Sequence, residues 1–283
     1  MTSKHSFFFS LLAVTIIGIG AGCSTQQKAA PTSENKPETN TAVQNETGHE
    51  VVNNEGASNG YAIKNLTRFD GIQPDETFSL HFFVVDKDGN AIKEFDTVNE
   101  QIIHLFIARK DLGKFIHLHP KFNKITGEFV LDMSLPSDGA YRMYADVKPK
   151  NGTVAAPFTD LRIGSITPVS PIEVTKEKIQ TVDGYEVTYD IPDSIKAGEK
   201  IAYELKVMLG KKPAYLEQHL GALGHSIIIK EGSLDLIHTH SVRNDKLQFE
   251  ATFPTAGRYK IFTEFLDNAI VHTSPFIVEV QNS

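Results

Sequence analysis

Two stretches of the chain place histidines at the same interval: His104, His117 and His119 in HLFIARKDLGKFIHLH, and His225, His238 and His240 in HSIIIKEGSLDLIHTH. Each stretch reads as a β-hairpin. In the first, β-prone apolar runs at 104–108 and 115–119 flank the charged, Gly-containing segment RKDLGK. Side chains two residues apart on a strand share a face, roughly 7 Å from one another, so His117 and His119 project together. A connecting loop with an even number of residues sets His104 opposite one of them, and directly opposed Cβ atoms are only about 5 Å apart. Three imidazoles then converge on one point, the donor set of a three-nitrogen copper or zinc site. Phe106, Phe115, Ile227 and Leu236 fall on the same face, and apolar walls favour neutral imidazoles. The alternative is structural, with the six rings bonded to one another or to loop backbone and no ion involved.

Other side chains are candidates for supporting parts. His219, in YLEQHLGALGH, lies in a loop expected beside the second triad and is a candidate fourth ligand. Asp146 and Glu264 occupy matching positions in the two halves; each is a candidate ligand, a carboxylate that orients a ligating His, or a solvated strand charge. Met143 would be a soft ligand for copper(I), although a lone Met in a β domain ordinarily fills core, and the same holds for Met208. His81 and His272 are read as structural. The chain carries no G-x-S-x-G elbow, P-loop, HExxH or Cys nucleophile, so a non-enzymatic role is expected. A three-His zinc site with an open position would also suit a hydrolase or hydratase, but no general base declares itself.

The elements that must position these residues are also repeated. ETFSLHFFV from Glu76 aligns with EKIAYELKV from Glu199, and the His hairpin follows in both halves. FVLDMSLPSDGAYRMYAD from Phe129 then matches LQFEATFPTAGRYKIFTE from Leu247, with Pro136, Gly139 and Tyr141 answering Pro254, Gly257 and Tyr259. Pro and Gly make such a turn and Tyr opens the next strand, a corner common in sandwich domains. Long amphipathic helices are absent and short strands recur between turn signals. The expected fold is all-β: two tandem immunoglobulin-like β-sandwiches over residues 61–166 and 181–283, joined by a linker at 167–180 short enough to restrict the pair.

The run HLFIARKDLGKFIHLHP, GALGH at 221–225 and the two Pro-x-x-Gly-x-Tyr corners resemble a family of secreted bacterial proteins and lipoproteins with tandem YtkA-like or FixH-like sandwich domains. The resemblance covers nearly all of residues 61–280. It implies an Ig-like fold outside the cytoplasm and a role with copper or other metals. The second half departs from the HLHP motif, reading His238-Thr239-His240-Ser241.

The N-terminus reads as an address. Lys4 precedes an apolar run from Phe7 to Ile19, too short for a membrane span, and Gly20-Ala21-Gly22-Cys23 resembles the lipoprotein processing box. Residues 1–22 are then a signal peptide. Cys23 is the one Cys in the chain, so no internal disulfide is available and lipidation gives the thiol a purpose. Residues 23–60, rich in Gln, Asn, Glu, Thr and Ser, cannot bury enough apolar surface to order themselves and read as a disordered tether to the membrane; His49 within it is read as solvated. The expected location is the extracytoplasmic side of a membrane, with a metal ion as partner and an extracytoplasmic protein as a second candidate partner. A net charge of -7 without a basic stripe argues against nucleic acid.

Overall fold

The computed structural model describes residues 56–283 apart from Thr167 and Val169. The signal peptide, Cys23, His49 and nearly all of the tether lie outside the described residues. Among the described residues no helix is long and apolar enough to cross a membrane.

The first half contributes β1 (Ala62–Asn65), β2 (Phe78–Val85), β3 (Phe95–Asp96), β4 (Ile103–Arg109), β5 (Phe115–Leu118), β6 (Lys121–Asn123), β7 (Glu128–Met133), β8 (Gly139–Pro149) and β9 (Phe158–Ile163). They form two sheets. One has the order β1–β2–β7–β6; the other runs β3–β8–β4–β5, with β9 also on β8. The second half adds β10 (Ile179–Val182), β11 (Tyr185–Asp190), β12 (Ile195–Lys196), β13 (Lys200–Leu209), β14 (Lys212–Pro213), β15 (Gly224–Lys230), β16 (Leu236–His240), β17 (Leu247–Thr252), β18 (Gly257–Asp267) and β19 (Ile270–Gln281). Its sheets are β10–β11–β13–β14, with β17 also on β13, and β12–β19–β18–β15–β16. The architecture is the expected pair of immunoglobulin-like sandwiches, and both belong to one compact unit of the chain.

Alternation along the strands explains the layers. In β4, Leu105 and Ile107 enter the core of the first sandwich with Leu80, Phe82, Phe129, Met143 and Ala145. In β15, Ile228 does the same in the second, with Tyr203, Phe249, Ile261 and Phe276. The intervening residues turn the other way, and they are buried as well. Phe106, Ala108, Tyr144 and Phe158 of the first half pack with Ile227, Ile229, Leu236 and Phe262 of the second in a third core. The Phe115 and Phe262 rings stack across it with centroids 4.6 Å apart. Each large apolar side chain so buried stabilises the pairing by roughly 1.5–3 kcal/mol. The two His-bearing sheets are therefore the inner layers of a four-layer stack, and the histidine faces lie between the domains.

The corners hold the long strands β8 and β18 in place. Tyr141 donates its hydroxyl to the Ser137 carbonyl at 2.7 Å and Tyr259 to the Thr255 carbonyl at 2.8 Å. Gly139 and Gly257 open those strands at φ 142° and 133°, where a Cβ would come within 3.0 Å of Arg109 Cδ and Lys230 Cε respectively.

Candidate metal centre

Strand register assembles the first triad. Phe106 pairs with His117 and Leu105 with Leu118 across β4 and β5, so one step further along the ladder His104 faces His119, the opposition an even loop requires. The second hairpin repeats this, with His225 directly opposite His240 and Ile227 opposite His238. In each group the three imidazoles offer nitrogen atoms that all lie within 4.8 Å of one another, close enough to hold a metal ion.

Hydrogen bonds to oxygen decide which nitrogen carries the proton in two rings of each triad. His104 Nε2 donates to the Val98 carbonyl at 3.1 Å, which leaves the lone pair on Nδ1. His117 Nδ1 lies 2.6 Å from Glu264 Oε2 and, with that carboxylate ionised, donates to it, which leaves the lone pair on Nε2. These two lone-pair atoms are 3.1 Å apart, and His119 Nε2 is 3.2 Å from His104 Nδ1. Three nitrogens bound to one ion at about 2.0–2.1 Å are spaced about 3.3–3.6 Å apart. His104 is therefore within a few tenths of an ångström of that spacing from each of its two partners.

The second triad is wired alike. His225 Nε2 donates to the His219 carbonyl at 2.9 Å, and its Nδ1 is fully buried with no hydrogen-bond partner. An unpartnered buried acceptor is costly in a fold, and a cation is one partner that would satisfy it. His238 Nδ1 donates to Asp146 Oδ2 at 2.6 Å, so the lone pair is on Nε2. Neither Asp146 nor Glu264 is a solvated strand charge: each is buried and orients an imidazole. They do so across the domain boundary. Asp146 stands opposite His104 on the neighbouring strand of its own sheet, and Glu264 opposite His225, yet each carboxylate bonds to a histidine of the other domain.

Burial sets the charge state. His104, His117 and His119 are each held down to about 3, chiefly by loss of solvation, with neighbouring imidazoles adding repulsion at all three. His225 is lowered to about 4 by the same loss of solvation. Glu264 is raised to about 7 by burial. These four rings are thus neutral at physiological pH, and no proton has to leave them before a metal binds.

The remaining candidates fall in distinct places. His219 acts on the centre through its carbonyl, and its ring centroid lies 6.1 Å from that of His225. Met143 is buried in the first sandwich core, on the opposite face of the sheet from the triad. Met208 lies on β13, in a sheet that carries no triad residue. His81 bonds to Glu128 and His272 to Asp183, both at 2.9 Å. Asn99 has a role that no sequence pattern announces: its Nδ2 approaches His240 Nε2 at 2.7 Å from the other domain. Val98 likewise contributes only a backbone carbonyl, for which a side chain gives no signal.

A family model described as a domain of unknown function, DUF8832, matches residues 37–161 and 180–282. Among curated proteins, none matches the chain. Among solved structures, a Salmonella α-2-macroglobulin mutant is 12% identical with a TM-score of 0.27, over 84% of this chain but only 16% of the macroglobulin. The fibronectin(III)-like modules of Clostridium thermocellum CbhA are 11% identical with a TM-score of 0.23, over 78% of this chain and 94% of theirs. The Escherichia coli adhesin FdeC is 14% identical with a TM-score of 0.26, over 79% of this chain and 65% of the adhesin.

Proposed function

The chain belongs to the DUF8832 family, whose description carries no activity, and on the site alone we propose that it is a non-enzymatic metal-binding protein that takes one ion in each three-His group. The observation that carries this reading is the tautomer wiring. In each triad two rings give their proton to a carbonyl and a carboxylate, so their lone pairs are turned toward the third ring. Carboxylates that orient ligating imidazoles are a usual support of metal sites.

Copper is the proposed metal, ahead of zinc. The donors are all imidazole, a ligand that suits both, and neither group gains a fourth side chain among the described residues. Structural zinc is almost always four-coordinate, whereas three nitrogens satisfy copper(I). The likeness of the HLHP run to YtkA-like and FixH-like domains supports the same choice. His119 and His240, the outer ring of each triad, are part-buried, while His104, His225 and His238 are buried and the His117 side chain is only 4% exposed. An ion enters and leaves by that outer ring, which suits capture and transfer to a partner. A lipid on Cys23 and the tether behind it would keep this exchange at the extracytoplasmic face of a membrane.

The test is a titration of the full chain, without a His-tag, with copper(I), copper(II) and zinc(II), counting bound metal per chain. Two tight equivalents are expected, falling to one when His117 and His119 are both replaced by Ala. Two equivalents retained in that variant would remove the first site, and no tight binding by the unaltered chain would leave the six rings structural.

A further inference from the structure

We propose that the two triads are one two-metal centre shared by both domains, not two independent sites. This rests on the reading that each triad holds an ion. The His104 ring centroid lies 5.4 Å from that of His238 and 6.0 Å from that of His225. The His117 and His225 centroids are also 6.0 Å apart. An ion bound at about 2.1 Å from an imidazole nitrogen lies roughly 3 Å from the ring centroid. The path from one ion through His104 and His238 to the other is then at most about 12 Å. Two ions at that range share one electrostatic and magnetic environment, inside an interface walled by Phe106 and Ile227.

The supporting bonds tie the sites further. Glu264 sits in the second domain and fixes His117 of the first; Asp146 sits in the first and fixes His238 of the second. Asn99 reaches His240 in the same crosswise sense. The loops that supply the two carbonyls also meet: a Cβ on Gly221 would lie 3.6 Å from Asn99 Cα. Neither domain completes its own site, so the docked pair is the binding unit.

The experiment loads the full chain with two equivalents of copper(II) and records its electron paramagnetic resonance. Spin–spin broadening and a half-field transition are expected. Both should vanish when most of the copper(II) is replaced by zinc(II) in the unaltered protein, which keeps both sites filled and needs no variant. A second preparation carrying His225→Ala should give an isolated copper(II) spectrum at one equivalent. Two bound ions with the spectrum of isolated centres would overturn the shared centre and leave one ion per triad standing. One ion per chain would overturn the two-metal arrangement, and no binding would overturn both readings.

Discussion

The two triads hold the same three rings in the same register and are supported in the same way, by residues that differ in identity. His119 is followed by the buried Pro120, whereas His240 is followed by Ser241, whose hydroxyl lies between the Arg243 and Lys246 carbonyls at 2.6 and 2.7 Å and can donate to either. The carbonyl that fixes His104 comes from Val98, and its counterpart at His225 comes from His219. The next residue in each loop is Asn99 or Leu220, both in the left-handed region at φ 47° and 53°. The crossing carboxylate is Glu264 for the first triad and Asp146 for the second. Where the backbone does the work, any side chain is admitted; where a proton must be held on Nδ1, a carboxylate is present on both sides. The comparison separates what the chemistry requires from what the packing tolerates.

Acid should produce the largest effect, and it tests whether both triads are equally desolvated. The unfolded chain binds protons at its histidines below about 6.5, while the folded rings resist to about 3 at His104 and His117 and to about 4 at His225. The histidines' contribution to the stability of the metal-free protein is therefore full above about 6.5 and falls as pH drops toward 3, with a slope on the order of 1 kcal/mol per pH unit for a single buried ring. His119 contributes less because solvent screens it. Glu264 works the other way: raised to about 7, it keeps in the fold a proton that the unfolded chain has released above 4.5. That single group blunts the acid slope between 4.5 and 7 without reversing it. Thermal unfolding across this range should show the fall, and His104→Gln and His225→Gln should each flatten it. If only the first variant did so, the second triad would be solvated and the likeness of the two sites would fail.

Much of this arrangement is legible in the sequence. The His spacing and the alternation of HLFIA and FIHLH place three rings on one face because strand geometry leaves no choice. The Pro-x-x-Gly-x-Tyr corners mark where β8 and β18 begin. Even the apolar companions Phe106, Phe115, Ile227 and Leu236 are identified as sharing the His face. Their partner is not legible: the face is covered by the other domain, and pattern alone does not say how two sandwiches dock. Asp146 and Glu264 are visible as matched positions, but their bonds cross that interface, so their recipients emerge only when it is formed. The Val98 and His219 carbonyls have no side-chain signature at all.

The crossed carboxylates give the next largest expected effect. Removing a carboxylate that orients a ligating imidazole typically costs about 10–100-fold in metal affinity. Glu264→Gln, a change in the second domain, should weaken the first triad by that amount, and Asp146→Asn should weaken the second. Affinity is measured with the opposite site disabled, so that each loss is assigned to one triad: Glu264→Gln in a His238→Ala/His240→Ala background, Asp146→Asn in a His117→Ala/His119→Ala background. No loss in these backgrounds, with a loss once each variant is moved into the other background, would mean that the carboxylates exchange partners when an ion binds.

The smallest effect concerns a polar side chain that touches one triad's outer ring and has no counterpart at the other. Asn99 donates to His240 Nε2, a nitrogen that the second triad can offer to an ion, while the matching residue of the other loop, Leu220, has no group to donate. An ion that takes Nε2 must displace the Asn99 amide, and the net worth of one such hydrogen bond is about 0.5–1.5 kcal/mol. Asn99→Ala should therefore tighten the second site by roughly 2- to 12-fold and leave the first unchanged, as read by competition titration with each triad alone. Weaker binding at the second site would assign Nδ1 of His240 as the ligand and make Asn99 its orienting partner, the counterpart on this ring of what Glu264 does for His117. Either result fixes which nitrogen of His240 faces the ion, and with it whether the second triad presents the same donor atoms as the first.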